Sequence, residues 1–174
     1  MEGFRFSLRD LPQRDILDKF SKRFPNLNKE SVESCIALLR TASDISKLFE
    51  SNFAKHGLSE GRFTILMLLY RQDNHLLSPA SLSQKAEVTR ATMTGLISGL
   101  ETQGFIEKVP NPNDQRGYLV HLCQKGLDLL NEILPNHYML NASIMSGLEQ
   151  SQLNELMSLL NALRLNLPNT IQGE

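Results

Sequence analysis

The sequence has 174 residues, with 18 basic and 19 acidic side chains, 41% hydrophobic positions and no Trp. A folded chain of this length buries roughly 70% of the surface that it exposes when unfolded, so a core forms without disulfides or structural metal. The longest apolar run is far shorter than the ~20 residues that cross a bilayer, and residues 1–30 mix charges throughout. These features exclude a largely disordered chain and predict one compact cytoplasmic domain without a membrane segment.

The charge is uneven along the chain, although the net charge is only -1. Residues 1–56 carry 10 basic and 8 acidic side chains, residues 57–126 carry 7 and 6, and residues 127–174 carry 1 and 5. Because no segment is strongly basic, the chain could bind nucleic acid only through a few well-placed Arg and Lys side chains.

Helical periodicity dominates the N-terminal third of the chain. An amphipathic stretch over residues 14–24 ends at Pro25 and belongs to an N-terminal extension, residues 1–28. Asn28 is the predicted N-cap of a long helix over residues 29–55. The apolar side chains of this helix are Val32, Ile36, Leu39, Ala42, Ile45, Leu48, Phe49 and Phe53. Because this stripe is wider than packing on one small domain requires, we predict a dimerisation helix.

The next three helices are each marked by an N-cap residue. Ser59 caps a helix whose predicted inward residues are Phe63, Leu66, Met67, Leu69 and Tyr70. Ser78, with Pro at the first helical position, opens a short helix that ends at residue 85. Residues 86–88 form a turn, and Thr89 caps a longer helix over residues 90–103. The two helices and their turn predict a helix-turn-helix.

The helix over residues 90–103 has two faces of different chemistry. One face is apolar and consists of Met93, Leu96, Ile97 and Leu100. The opposite face consists of Arg90, Ala91, Thr92, Thr94, Gly95 and Ser98. Small, polar or cationic side chains allow a helix to approach base edges in a groove about 12 Å wide. The alternative is a packing helix whose small polar face is only solvated.

A β-hairpin is predicted after Gly104, because the period changes from helical to alternating. The strands are residues 105–109 and 118–122, and in the second strand Tyr118, Val120 and Leu122 share one face. Arg116 lies in the polar loop between them, where a guanidinium can enter a narrow minor groove, and Asp114 can hold the loop in shape. The alternative for Arg116 is a solvated turn charge.

Two helices are predicted after the hairpin. The first contains Pro135, which predicts a kink because the helical pattern resumes over residues 136–145. The last helix covers residues 150–165, with Leu153, Leu156, Met157, Leu160 and Leu163 on one side. An apolar side within an acidic surface predicts a protein interface and excludes a DNA-binding arm.

These segments resemble the MarR (multiple antibiotic resistance regulator) family of bacterial winged helix-turn-helix transcription factors. The matching motifs are Leu58-Ser59, Arg62-Phe63-Thr64-Ile65-Leu66, Val88-Thr89-Arg90-Ala91-Thr92-Met93-Thr94-Gly95-Leu96-Ile97, Gly104-Phe105-Ile106, Asn113-Asp114-Gln115-Arg116 and Val120-His121-Leu122. Their order and spacing carry the resemblance, which covers residues 29–167 and leaves the N-terminal extension unexplained.

The resemblance implies a mainly α fold, a winged helix-turn-helix with a two-stranded β-hairpin wing and N- and C-terminal dimerisation helices. Residues 29–174 would be the family domain, with the winged part at 57–123 and dimerisation helices at 29–56 and 124–167. It implies a homodimeric regulator, more often a repressor, that binds a pseudo-palindromic operator in double-stranded DNA. The implied DNA-binding residues are Ser78, Thr89, Arg90, Ala91, Thr92, Thr94, Gly95, Ser98, Asn113, Asp114, Arg116 and Gly117.

A small-molecule effector is also implied, between the dimerisation helices and the winged part. Candidate lining residues are Arg40, Ser43, Lys47, Phe63, Met67 and Tyr70. A cation beside apolar walls would suit an aromatic carboxylate, and the alternative is that both cations are solvated helix charges. A Trp-containing effector site, as in the urate-responsive branch, is excluded because the chain has no Trp.

The cysteines and histidines predict no metal or cofactor. Cys35 and Cys123 are predicted to be free thiols, and Cys35 is expected to be buried on the apolar side of its helix. Cys123 stands where the family usually has Thr and is a poor helix cap. A thiol-based redox sensor of the same fold remains an alternative. The four histidines are His56, His75, His121 and His137, with no spacing suited to zinc.

Two other classes of function stand beside the regulator. A winged-helix interaction module without DNA binding has the same fold, but the Asp114-x-Arg116 motif argues against it. An enzyme is not predicted, because the sequence lacks paired carboxylates, a nucleophile with a base, or a glycine-rich phosphate loop.

Overall fold

The structure is a computed structural model that describes residues 14–112 and 117–171. The described elements in chain order are α1 (Arg14–Arg23), α2 (Lys29–Ala54), α3 (Glu60–Tyr70), β1 (Leu76–Leu77), α4 (Pro79–Lys85), α5 (Arg90–Thr102), β2 (Ile106–Pro110), β3 (Tyr118–Leu122), α6 (Gln124–Met145) and α7 (Gln150–Ile171). Within these ranges, no helix has the length and apolar character to span a membrane. The predicted mainly α fold is confirmed.

Four helices begin at the predicted N-cap residues. A side-chain oxygen of Asn28, Ser59, Ser78 or Thr89 accepts the backbone N–H three residues further on, at 2.8, 3.3, 3.2 and 3.2 Å respectively. Each bond satisfies an N–H that has no partner inside the helix and stabilises the helix by about 1 kcal/mol. The local sequence therefore fixes where α2, α3, α4 and α5 begin.

The chain divides into two compact units, which we call the N-terminal unit (Met1–Ile133) and the C-terminal unit (Leu134–Glu174). The division falls inside α6, between Ile133 and Leu134 and one residue before Pro135. The helix continues through this proline, as the pattern after it predicts. The kink expected there stays a prediction.

The core of the N-terminal unit is built mainly from α3, α5, the sheet and the start of α6. Its fully buried side chains include Phe53, Ile65, Leu66, Leu69, Leu82, Met93, Ile97, Leu100, Val120, Leu122, Leu130 and Ile133. The rings of Phe53 and Phe63 stack with centroids 4.1 Å apart, which attaches the end of α2 to α3. Burial of this apolar surface is the main driving force for folding of the unit.

The sheet has three antiparallel strands in the order β1-β3-β2, where the sequence predicts only a two-stranded hairpin. β2 pairs with β3 from Ile106 opposite Leu122 to Pro110 opposite Tyr118. The additional strand β1 has two residues, too few for an alternating pattern, and pairs Leu77 with Val120. The predicted hairpin is thus confirmed and extended by one strand.

Two predictions about buried helix faces are wrong. In α3, Tyr70 is exposed and Met67 is half-buried, whereas Ile65, which was not predicted, is fully buried. The difference arises because Tyr70 lies at the end of the helix and stacks on His75 instead of entering the core. Cys35 was expected to be buried, but it is exposed in the single chain, on a helix with only Phe53 fully covered.

Candidate nucleic-acid interface

A left-handed residue makes the turn between α4 and α5. Glu87 has φ of 52°, and the next residue, Val88, donates its N–H to Ser83 O at 3.1 Å. A residue with a side chain costs roughly 1 kcal/mol in this conformation, so the close packing of the two helices must offset that strain. The predicted helix-turn-helix is therefore present and is closed by a backbone hydrogen bond.

The two predicted faces of α5 are separated in the structure. Met93, Ile97 and Leu100 are fully buried, and Leu96 is half-buried beside Gly61 of α3. The opposite side chains Arg90, Ala91, Thr94, Gly95 and Ser98 are exposed, and Thr92 is half-buried. The structure thus brings the small, polar and cationic residues together on one solvent-facing side of α5.

Several hydroxyl groups near this face already make hydrogen bonds within the helices. Thr94 donates to Arg90 O at 2.9 Å, the Thr89 and Thr92 hydroxyls lie 2.9 Å apart, and Ser78 donates to Ser81 at 3.0 Å. The hydroxyl groups of Ser78 and Thr89 therefore have a structural role in the free protein. Among the described residues Arg90 makes no ion pair, so its guanidinium is available to an anion.

The hairpin predicted to form the wing is present, but its tip lies outside the described residues. The predicted DNA-binding residues Asn113, Asp114 and Arg116 belong to that tip, and their roles stay predictions. Beside it, Gly117 is half-buried, and its carbonyl accepts the N–H of Asn111 at 3.4 Å.

Two glycines allow close approaches that the sequence analysis missed. A Cβ at Gly99 of α5 would lie 2.5 Å from Nη2 of Arg62, so this glycine lets the guanidinium lie against α5. A Cβ at Gly126 would lie 2.5 Å from the carbonyl oxygen of Phe105, where α6 begins beside the link between α5 and β2. A glycine inside a helical pattern is the only sequence signal for such contacts.

The cationic effector candidates lie on the solvent side of α2. Arg40 is exposed, Ser43 is half-buried, and Lys47 forms an exposed ion pair with Asp44 at 2.9 Å. The hydrogen bond and charge of Lys47 lower the pKa of Asp44 below its ordinary value. This pairing agrees with the alternative that Lys47 is a solvated helix charge.

The three effector candidates on α3 differ in environment. Phe63 is buried against Phe53, and Met67 is half-buried. Tyr70 is exposed, with its ring stacked on His75 at a centroid distance of 6.0 Å. An apolar wall is therefore available on α3, and a complete effector site stays a prediction.

Cys123 is a poor candidate for a redox sensor. Burial raises the pKa of this thiol above its ordinary value, and the nearby Glu107 carboxylate raises it further. A raised pKa lowers the fraction of reactive thiolate at neutral pH. Within the described ranges, no group of three His, Cys, Asp or Glu residues could hold a metal ion.

A helix-turn-helix with a solvent-facing second helix, followed by an antiparallel hairpin, defines a winged helix-turn-helix protein. The model of the MarR family matches residues 58–118. The HTH-type transcriptional repressor YetL of Bacillus subtilis is 31% identical over 153 residues, which cover 88% of this chain and 92% of YetL. The transcriptional regulator PecS of Dickeya dadantii is 25% identical, covering 92% and 98% of the two chains.

A solved structure has the same fold. It is Sco3205, a MarR family transcriptional regulator from Streptomyces coelicolor, in complex with DNA. The TM-score is 0.75 with 19% identity, covering 81% of this chain and 93% of Sco3205. Because the family model matches and YetL is 31% identical over 88% of this chain, the chain belongs to the MarR family of transcriptional regulators.

Proposed function

We propose that the protein is a homodimeric, sequence-specific repressor that binds a pseudo-palindromic operator. The observation that carries the proposal is the exposed face of α5, which bears small and polar side chains and Arg90, an exposed cation with no ion pair to any described residue. Such a face fits a major groove, where Arg recognises guanine or phosphate and methyl groups contact thymine. YetL, the relative described above, is named a transcriptional repressor, which supports the sign of regulation.

Uncovered apolar side chains support the homodimer. In α2, Leu38, Leu39 and Leu48 are exposed in the single chain, and α7 exposes Leu159 and Leu163. A soluble protein rarely leaves this much aliphatic surface in water, so a partner surface is expected to cover it. The charge distribution agrees, because residues 127–174 carry only one basic side chain and would not approach DNA.

A change in the spacing of two recognition helices would provide the regulation. In a homodimer, two copies of α5 enter successive major grooves when they lie about 34 Å apart. An effector that binds better to another spacing shifts the population away from the DNA-binding form. We propose an aromatic carboxylate, held by Arg40 or Lys47 beside Phe63, Met67, Tyr70 and Ser43.

DNA binding is tested with the purified protein and the DNA upstream of its own gene, over a series of salt concentrations. We expect specific nanomolar affinity that falls steeply with salt. Arg90→Ala and Arg116→Ala should each weaken binding, and a lost phosphate contact lowers the salt slope by about 0.9. Arg164→Ala is the matched control, because this exposed Arg lies on α7, outside the predicted DNA-binding face, and binding should be unchanged at concentrations where the variant is still dimeric.

The same measurement decides between a regulator and an interaction module. Failure to bind the upstream DNA and genomic fragments above the non-specific level would favour a module without DNA binding. The assay is repeated after unfolding, dialysis and refolding, which removes any copurified effector. For the effector, phenolic acids are added to the protein–DNA complex, and release should be weaker in Arg40→Gln or Lys47→Gln if either cation binds the carboxylate.

A further inference from the structure

The buried core of the hairpin ends at a lysine. Residues directly opposite in an antiparallel pair place their side chains on the same face of the sheet. Ile106 and Leu122 form such a pair and are buried, and the next pair on this face is Lys108 with Val120. Val120 is fully buried, whereas Lys108 is exposed. A charged side chain thus stands on the core face, where the hairpin extends beyond the core.

Lys108 connects this face of the hairpin to α5. Its Nζ donates to Oε2 of Glu101, in the last turn of α5, at 2.5 Å. The same ammonium lies 5.5 Å from the ring centroid of Tyr118, its diagonal neighbour on β3. Three residues from three elements therefore meet at the corner between the recognition helix and the hairpin.

The ammonium is already engaged in the free protein. The hydrogen bond to Glu101 raises the pKa of Lys108 above its ordinary value, so the group stays charged at physiological pH. The Lys108 and Glu101 side chains are 39% and 37% exposed, which places the pair at the edge of the core and not in the interior. An exposed ion pair of this kind contributes little to the stability of the fold.

We propose that Lys108 is a positioning residue that, through Glu101 and Tyr118, sets the direction in which the β2–β3 hairpin leaves the recognition helix. It fixes how the wing meets DNA and is not itself a phosphate contact. This inference rests on the proposed DNA-binding function.

The sign of the effect of Glu101→Gln on DNA affinity is the main test. Removing an acidic charge beside DNA strengthens binding if electrostatics alone act. Loss of the positioning contact instead weakens binding. The expected loss is about two- to fivefold in affinity for each protomer if the whole interaction free energy of an exposed ion pair is lost. Lys108→Met, which keeps the aliphatic stem, should weaken binding equally with an unchanged salt slope, and Lys108→Arg should restore affinity.

Two outcomes would overturn the proposal. If the Glu101→Gln variant binds DNA as tightly as the parent, or more tightly, the contact does not position the wing. A salt slope that falls by about 0.9 for each protomer in Lys108→Met identifies Lys108 as a phosphate contact. In effector-free protein Asp44→Asn is the matched control, because it breaks an exposed ion pair that lies within α2 and not at the hairpin. Urea unfolding of each variant checks that a weaker binder is still folded.

A second readout does not require DNA. Tyr118 is one of three tyrosines, so ring-labelled tyrosine gives a small set of NMR signals. Both Glu101→Gln and Lys108→Met should shift the Tyr118 signal, and Asp44→Asn should not. An unmoved Tyr118 signal in Glu101→Gln refutes the three-residue contact. If both variants shift the Tyr118 signal but the parent protein binds no DNA, the proposed function is refuted and the three-residue contact still stands.

Discussion

The N-terminal and C-terminal units differ in how far each one covers its own apolar side chains. The N-terminal unit buries leucines such as Leu66, Leu69 and Leu100 completely. Among the described side chains of the C-terminal unit, only Leu134 is buried, and large apolar residues are exposed. These are Tyr138, Met139, Met145, Leu148, Met157, Leu159, Leu163, Leu165 and Leu167.

This difference separates two sources of stability. The N-terminal unit has its own core, so its contribution to folding is intramolecular. Aliphatic side chains in the C-terminal unit are typical of an interface that resembles a core cut in half, as in obligate dimers. The acidic composition of this segment agrees with a protein partner and not with nucleic acid.

The largest expected effect comes from a cavity in the N-terminal core. Leu69→Ala removes a side chain with 0% exposure and should lower the free energy of unfolding by about 2–5 kcal/mol. Leu165→Ala is the comparison in the C-terminal unit, because this leucine is 78% exposed in the single chain and can contribute only through a partner surface. Urea unfolding at two protein concentrations measures both variants. Equal losses at these two sites would remove the distinction between the units.

The next effect tests the interface directly. Leu163→Asp places a charge on the exposed apolar side of α7 and should weaken the proposed dimer by about 2 kcal/mol or more, roughly thirtyfold in the dissociation constant. Asn161→Asp adds the same charge at an exposed polar position of the same helix and should have a smaller effect. Sedimentation equilibrium gives both constants. A parent protein that is monomeric at micromolar concentration contradicts the dimer itself.

Two Gly→Ala substitutions, one in each unit, compare how tightly the two units are packed. Gly126→Ala should destabilise the protein by about 1–3 kcal/mol, because its Cβ would meet the carbonyl oxygen of Phe105 and the side chain of Leu122. Gly147→Ala, between α6 and α7, meets nothing within 4 Å and should change stability by about 0.5 kcal/mol or less. Thermal unfolding distinguishes the two. A neutral Gly126→Ala would mean that the start of α6 can move away.

The smallest effect concerns the junction between β3 and α6. Cys123 directly precedes α6, and its carbonyl accepts the N–H groups of Gly126 and Leu127. Cys123→Thr provides a hydroxyl that can cap the first turn and should raise stability by about 1 kcal/mol. Cys123→Ser should give a similar gain, whereas Cys123→Ala should give none. If all three variants unfold at the same temperature, a side-chain cap at position 123 does not stabilise α6.

The sequence predicted the features that depend on local chemistry. The four N-caps and the two faces of α5 follow from residue type and spacing within one turn. β1 escaped prediction because a two-residue strand exists only through its pairing with β3. The exposure of Cys35 could not be read from an apolar stripe, since the stripe does not say whether its partner belongs to the same chain. The approach of Arg62 to Gly99 depends on the packing of α3 on α5.

The end of the buried core at Val120 also bears on amide exchange with solvent. At the buried end of the ladder Leu122 donates its N–H to His75 O at 3.1 Å and Cys123 donates to Phe105 O at 3.0 Å, so these amides should exchange only when the whole unit unfolds. Towards Pro110 and Tyr118 the ladder has little buried side-chain support, and local opening should suffice. Amide exchange is therefore expected to be slow at the base of the hairpin and faster towards its outer end. Local opening of the outer end would let the hairpin adjust to DNA without unfolding the core.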